Sequence, residues 1–178
     1  MRFVLGAVVA ALALAGCNDE KRSQPPSTYS AHKVTIELPS GWHAARTDLT
    51  PNLVDPKQVF AVGTYPLRYR PHDCAHEPVS ALQDLGRTDA FVELEERKAG
   101  GRPSSEFPAR PAHFGPNLGG PSEATECTPG TRMKEGFFGF TDHGRHFYAL
   151  VAFGPAASKA TKDEAWKVLD SLKVEPGR

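Results

Sequence analysis

The side chains with the clearest capacity for chemistry form one short cluster, the segment His72-Asp73-Cys74-Ala75-His76. Alternate side chains of an extended chain point the same way, so His72, Cys74 and His76 would lie on one side, and imidazole and thiolate groups are zinc ligands. The remaining ligand would be Asp73 or one of three distant histidines, His113, His143 and His146. The spacing matches neither the paired CxxC nor the HExxH pattern. The cluster permits a metal-dependent surface hydrolase, and the alternative interpretation is a set of solvated loop residues.

No other set of residues in the sequence matches a catalytic signature. The serines lack a G-x-S-x-G setting, and neither a GxGxxG motif nor a phosphate-binding loop is present. Glu93, Glu95 and Glu96 form a run of carboxylates, but alternation along a strand predicts that Glu93 and Glu95 are its solvent-exposed face. Arg68 and Arg70 are interpreted in the same way, as a solvent-facing strand end rather than the edge of a ligand site.

The first seventeen residues have the pattern of an export signal. Met1-Arg2 is a minimal positive start, and Phe3 to Ala15 is an apolar run that is too short to span a bilayer. The run ends in Leu14-Ala15-Gly16-Cys17, which resembles the lipobox of bacterial lipoproteins. The resemblance implies that residues 1–16 are removed and that Cys17 carries a diacylglyceryl group, with palmitate as a typical acyl chain. Two acyl chains hold a protein stably at the extracytoplasmic face of the cell membrane.

The other two cysteines, Cys74 and Cys127, are predicted to form a disulfide bond, because paired cysteines outside the cytoplasm oxidise. Closing a loop of about 50 residues would remove about 4 kcal/mol of denatured-chain entropy. A bridged Cys74 cannot be a thiolate ligand. The prediction is therefore no metal and no cofactor, with a metal site at His72 and His76 as the alternative.

Composition predicts one domain on a tether. Residues 17–31 are polar, contain Pro25-Pro26 and have no apolar period, which is typical of a flexible linker. Residues 32–178 are long enough for a single domain with a sizeable core. Removal of residues 1–16 takes away only Arg2 among the charged residues, so the formal charge changes from 0 to −1. No basic excess indicates nucleic acid.

Apolar periodicity predicts the elements of this domain. Alternation predicts strands at 33–38 and 90–95, and a nearly continuous apolar run predicts another at 58–64. A short helix is predicted with Pro78 at its first position, Val79, Leu82 and Leu85 as its apolar stripe, and Gly86 after its end. Part of the Pro/Gly-rich segment 98–132 is predicted to pair with the sheet edge or to pack on it, with its only large anchors being Phe107 and Phe114.

The most apolar stretch predicts a hairpin followed by a helix. Aromatic strands lie on both sides of the turn Asp142-His143-Gly144-Arg145, where Gly144 suits a positive φ. A helix is predicted over 161–172, with Thr161 and Glu164 as a capping box. Its buried face would consist of Ala165, Val168, Leu169 and Leu172.

The order of these elements resembles the PsbP-like (Mog-type) α/β/α sandwich. The similarity rests on an opening strand that ends in Leu38-Pro39-Ser40-Gly41-Trp42, a late aromatic hairpin, and a final helix over residues 165–172. The chain also looks like uncharacterised secreted proteins of high-GC Gram-positive bacteria. Because PsbP-like members are mostly binding or assembly factors, the resemblance implies binding without catalysis.

The sequence thus predicts a single α+β domain, with a mainly antiparallel twisted sheet and the C-terminal helix packed on one face. Its predicted function is a lipid-anchored extracytoplasmic binding or accessory protein without catalytic activity, whose partner is an unknown protein or small molecule. The alternatives are a metal-dependent surface hydrolase using His72 and His76, and a purely structural envelope protein.

Overall fold

A computed structural model of the chain describes residues 26–70, 77–98, 104–118 and 134–177. The predictions of a lipidated cysteine, a disulfide bond and a metal-binding cluster therefore stay predictions, because they fall outside these ranges, at Cys17, at Cys74 and Cys127, and at His72 and His76. None of the helices in the described ranges has the length and apolar content needed to span a membrane.

The described residues form an α+β fold with two antiparallel sheets. The strands, in chain order, are β1 (Ser27–Ala31), β2 (Val34–Leu38), β3 (His43–Ala44), β4 (Lys57–Gly63), β5 (Ala90–Arg97), β6 (Lys134–Asp142), β7 (Arg145–Phe153) and β8 (Lys173–Val174). The helices are α1 (Val79–Gln83), a 3₁₀ turn (Ser104–Glu106) and α2 (Lys159–Asp170). One sheet has the order β1-β2-β8, and the other has the order β3-β4-β5-β7-β6. The predicted fold class is confirmed.

The hairpin of β6 and β7 is confirmed. Asp142 pairs with Arg145, so the loop contains two residues, His143 and Gly144, with φ of 47° and 73°. Positive φ at both central residues is the geometry of a type I′ turn, which matches the right-handed twist of the strands. Strand β7 lies between β5 and β6, and this position explains why it is apolar on both faces.

Helix α2 is confirmed, but its predicted start was wrong. The N-cap is Ser158, whose Oγ accepts a hydrogen bond from the Thr161 amide at 3.1 Å. Thr161 is therefore inside the helix, and Glu164 is not its capping partner. Instead, a Glu164 carboxylate oxygen accepts from Trp42 Nε1 at 3.1 Å. The predicted buried stripe is correct, and it packs against β2 and β5.

The five-stranded sheet is covered on both faces. Its helix face, which we define as the face that carries Val62, Val92 and Val151, packs against α2 and the three-stranded sheet. Its loop face, which carries Ala61, Phe91 and Ala152, packs against α1 and the chain on either side of β4, including Leu49, Tyr65 and Leu82. Both faces of the five-stranded sheet are therefore buried against apolar side chains.

Boundaries near β1 and α1 also differ from the sequence prediction. Residues Ser27–Ala31, assigned to the tether, form β1 and pair along their whole length with β2. Their polar composition concealed the strand, in which only Tyr29 and Ala31 are half-buried. Helix α1 ends at Gln83, and Pro78 is its N-cap rather than its first residue.

The described part of the Pro/Gly-rich segment lies against the sheet edge, as predicted. Thr141 of β6 donates its amide to Pro108 O at 2.7 Å and accepts from the Arg110 amide at 2.8 Å. Phe107 and Phe114 are both buried. Arg110 also donates to the carbonyl oxygens of Leu169, Asp170 and Leu172, so it stabilises the C-terminus of α2.

Candidate functional site

A strip of ionisable side chains crosses the loop face of the sheet. Strand β5 contributes Glu93, Glu95 and Arg97, which have the two-residue spacing of side chains on one face. Strand β7 places Tyr148 opposite Glu95, and His146 opposite Arg97. The strip is therefore acidic at its inner end and basic at its outer end.

The two glutamates at the acidic end were predicted to be solvent-exposed, and for Glu93 this prediction was wrong. Only 2% of Glu93 is exposed, and Glu95 is half-buried. The reason is that the chain before β4 folds back over this face: the Leu49 amide donates to Gln58 Oε1 at 2.8 Å, and Gln58 lies opposite Glu95. Alternation identified one apolar face and gave no sign that the other face was also covered.

Burial changes the protonation of both glutamates. It raises the pKa of Glu93 well above its ordinary value, and the carboxylates of Glu95 and Asp48 act in the same direction. Burial also raises the pKa of Glu95 to about 7. Glu93 Oε1 and, in the covering segment, Thr50 Oγ1 are buried without a hydrogen-bond partner. Near neutral pH the pair therefore holds at least one proton, since two adjacent carboxylates in an apolar setting do not both ionise.

Aromatic side chains fix the β7 side of the strip. The Tyr148 hydroxyl donates to Glu106 Oε1 at 2.5 Å, and the Phe107 ring stacks on His146 with 4.8 Å between ring centroids. Both contacts depend on Gly139, because a Cβ there would lie 2.4 Å from the Glu106 carbonyl oxygen. The His146 imidazole is thus held at the rim of the strip's outer end.

The outer end opens into a cleft of about 700 Å³, which we call the β5–β7 cleft. The basic side chains of Lys57, Arg97 and Lys98 line it, as does His146. No described residue forms an ion pair with the three cationic side chains, and Arg97 Nε is buried without a hydrogen-bond partner. On the rim, Asp55 Oδ1 accepts a hydrogen bond from the Lys98 amide at 3.0 Å.

The remaining charged groups of the cleft neutralise each other. Arg145 donates from Nε and from an NH₂ group to the two carboxylate oxygens of Glu96, each at 2.7 Å. Its other donors reach carbonyl oxygens of His32, Lys33 and Glu175. Counting this pair and the histidine as neutral, the lining carries a formal charge of +3. The apolar side chains of Leu53 and Val54 complete the lining, and Val54 is 72% exposed.

The three distant histidines that were considered as metal ligands have separate environments. His113 Nδ1 lies 3.4 Å from Asp170, His143 Nε2 lies 3.8 Å from Asp142, and His146 stacks on Phe107. Within the described ranges, no three histidine, cysteine or acidic side chains are grouped so that they could hold a metal ion.

Comparison with known proteins adds no relative, since no family model, no curated protein and no solved structure matches the chain.

Proposed function

We propose that the protein is a lipid-anchored extracytoplasmic binding or accessory protein that takes up an organic anion in the β5–β7 cleft. The observation that carries the proposal is the set of three cationic side chains, Lys57, Arg97 and Lys98, that line one cleft without an ion-pair partner among the described residues. Cationic side chains that converge beside a carboxylate already neutralised by another arginine, as Glu96 is by Arg145, favour an anion.

The cleft favours a carboxylate or phosphate group joined to an apolar portion. An arginine guanidinium presents a planar fork of N–H donors that matches both groups. The same lining includes Leu53 and Val54, which offer apolar contact. The volume lies within the range of roughly 300–1,000 Å³ that is typical of small-molecule sites.

Binding is favoured over catalysis by the chemistry of the lining. Among the described residues, the β5–β7 cleft is lined by no hydroxyl or thiol that would act as a nucleophile. The carboxyl groups with raised pKa lie deeper, where Glu93 is almost completely buried. The hydrolase alternative would use His72 and His76, and equilibrium dialysis against zinc, compared with His72→Ala, separates it from the binding proposal. Stoichiometric zinc that the variant loses would favour the hydrolase.

The experiment compares two probes with the same apolar chain, octyl phosphate and octanol, by isothermal titration calorimetry. Octyl phosphate should bind in a 1:1 ratio and octanol should bind much more weakly. Arg97→Gln should weaken octyl phosphate binding by about tenfold or more, because a hydrogen bond to a charged group contributes about 1.5–3 kcal/mol.

Lys167→Gln is the matched control, since it removes a positive charge from an exposed position on α2. If Arg97→Gln and Lys167→Gln bound octyl phosphate with equal affinity, binding in the β5–β7 cleft would be refuted. So would equal affinity for octanol and octyl phosphate, because the apolar residues alone would then account for binding.

A further inference from the structure

A second basic cleft lies at the opposite end of the five-stranded sheet. It has a volume of about 520 Å³, and its polar lining includes His43, Arg46, Arg68 and Tyr69. No carboxylate lines it within the described ranges, and no described residue pairs with the exposed side chains of Arg46 and Arg68. We call it the β3 cleft.

A neighbouring ion pair shows which charges at this end are already compensated. Arg70 donates to both carboxylate oxygens of Asp84, at 2.6 and 2.7 Å. Both oxygens are reached from the one Nη2 nitrogen of Arg70, and this close ion pair leaves little attraction for a further anion. Arg46 and Arg68 therefore carry the uncompensated charge of the β3 cleft.

The chain enters the domain at the same end. Ser27, the first residue of β1, pairs with Leu38 at the end of β2. A turn closed by the Trp42 amide and Pro39 O then leads directly to His43 in the cleft lining. Ser27 follows Cys17 by ten positions, so the covalent chain limits their separation to at most about 35 Å.

We propose that the β3 cleft faces the membrane and binds the phosphate groups of anionic lipid headgroups beside the anchor. This inference rests on the lipid anchor of the proposed function. A short tether holds the end of the domain at which it enters close to the headgroups. There Arg46 and Arg68 meet phosphate, for which the guanidinium fork is suited, in a leaflet whose negative potential attracts them.

The two clefts would then have different surroundings. Strand β4 begins with Lys57 in the β5–β7 cleft and ends with Gly63, which pairs with His43 of the β3 cleft. Seven residues of strand separate the two ends by about 20 Å. With the β3 cleft on the headgroups, the β5–β7 cleft is directed away from the membrane and stays open to its ligand.

The test uses the mature chain, residues 17–178, with Cys17→Ser so that no acyl chain contributes. It is sedimented with vesicles of phosphatidylcholine alone or mixed with phosphatidylglycerol, and partitioning should favour the mixture. Arg46→Gln combined with Arg68→Gln should lower this partitioning on the order of 30-fold, because each basic residue near an anionic surface contributes about fivefold. The matched control, Lys167→Gln with Lys173→Gln, removes the same charge from exposed positions on α2 and β8, outside both clefts, and should leave partitioning unchanged.

Three results would overturn the proposal. The first is an equal loss of vesicle partitioning in the two double variants, and the second is equal partitioning of the wild type to both vesicle types. The third is complete release of the protein from the vesicles by inorganic phosphate at the concentration of lipid phosphate, which would indicate a site for a free anion. The lipid anchor is tested separately, by mass spectrometry that determines whether Cys17 of the wild-type chain from cells is acylated. An unacylated wild type with intact dependence on Arg46 and Arg68 would support the β3 cleft and refute the anchor.

Discussion

Replacement of Glu95 by glutamine should remove much of the pH dependence of stability that the buried carboxyl pair creates. In the folded protein the pKa of Glu95 is raised from 4.5 to about 7 by burial. A raised pKa means that the folded state binds the proton more tightly than the unfolded state does. The stabilisation is therefore complete below about pH 4.5 and is lost as the pH rises through about 7.

The magnitude follows from that difference in pKa. Each pKa unit corresponds to about 1.4 kcal/mol, so Glu95 alone would lower the free energy of unfolding by about 3 kcal/mol across this range. Glu93 acts in the same direction, since burial also raises its pKa. Glutamine resembles the protonated carboxyl in shape and does not ionise, so Glu95→Gln should become progressively more stable than the wild type as the pH rises.

The assay is urea unfolding, followed by the fluorescence of Trp42 and Trp166, at a series of pH values from acid to neutral. Both tryptophans are buried in the folded protein, so their emission reports unfolding. Glu37→Gln removes a carboxyl from an exposed position on β2 and controls for the loss of one charge. A wild-type stability that rises between about pH 4.5 and 7, or an equal slope in Glu95→Gln and wild type, would refute the reasoning.

Three further predictions concern the hairpin, the anchor and the cysteines. Arg145→Met should lower the free energy of unfolding by about 3–5 kcal/mol, because it leaves the charge of Glu96 without its partner in a largely buried ion pair. A loss below about 1 kcal/mol in urea unfolding would show that the pair behaves like an exposed one. Cys17→Ser should move the protein out of the detergent phase or leave its leader uncut, and unchanged partitioning of the processed chain would refute lipidation. Replacing Cys74 or Cys127 by serine should lower the free energy of unfolding by about 2–5 kcal/mol. Mass spectrometry of the unreduced wild type should find the two cysteines linked. Two alkylatable thiols would refute the disulfide bond and favour the metal site again.

Local patterns in the sequence predicted the elements whose cause is itself local. The β6–β7 hairpin follows from two aromatic runs around His143-Gly144, and α2 follows from its apolar stripe. The start of α2 was misplaced because Ser158 and Thr161 are both followed by a polar residue three positions later, and the apolar stripe begins too late to choose between them.

The candidate site could not be predicted, because register and distant packing create it. Lys57, Arg97 and His146 lie in one cleft because the start of β4, the end of β5 and the start of β7 meet at one end of the sheet. That register includes an irregularity between Gln58 and Phe60, for which the sequence gives no sign. Glu93 was assigned to solvent because the segment that covers it, around Leu49, precedes it by some forty residues.

The central claim is that the β5–β7 cleft binds an organic anion, and NMR titration of ¹⁵N-labelled protein with octyl phosphate tests it most directly. We predict saturable shifts of the Lys57, Arg97, Lys98 and His146 amides, while the amide of the exposed Lys167 on α2 stays unchanged. Saturable shifts confined to the β3 cleft, or none at any cleft residue, would contradict it.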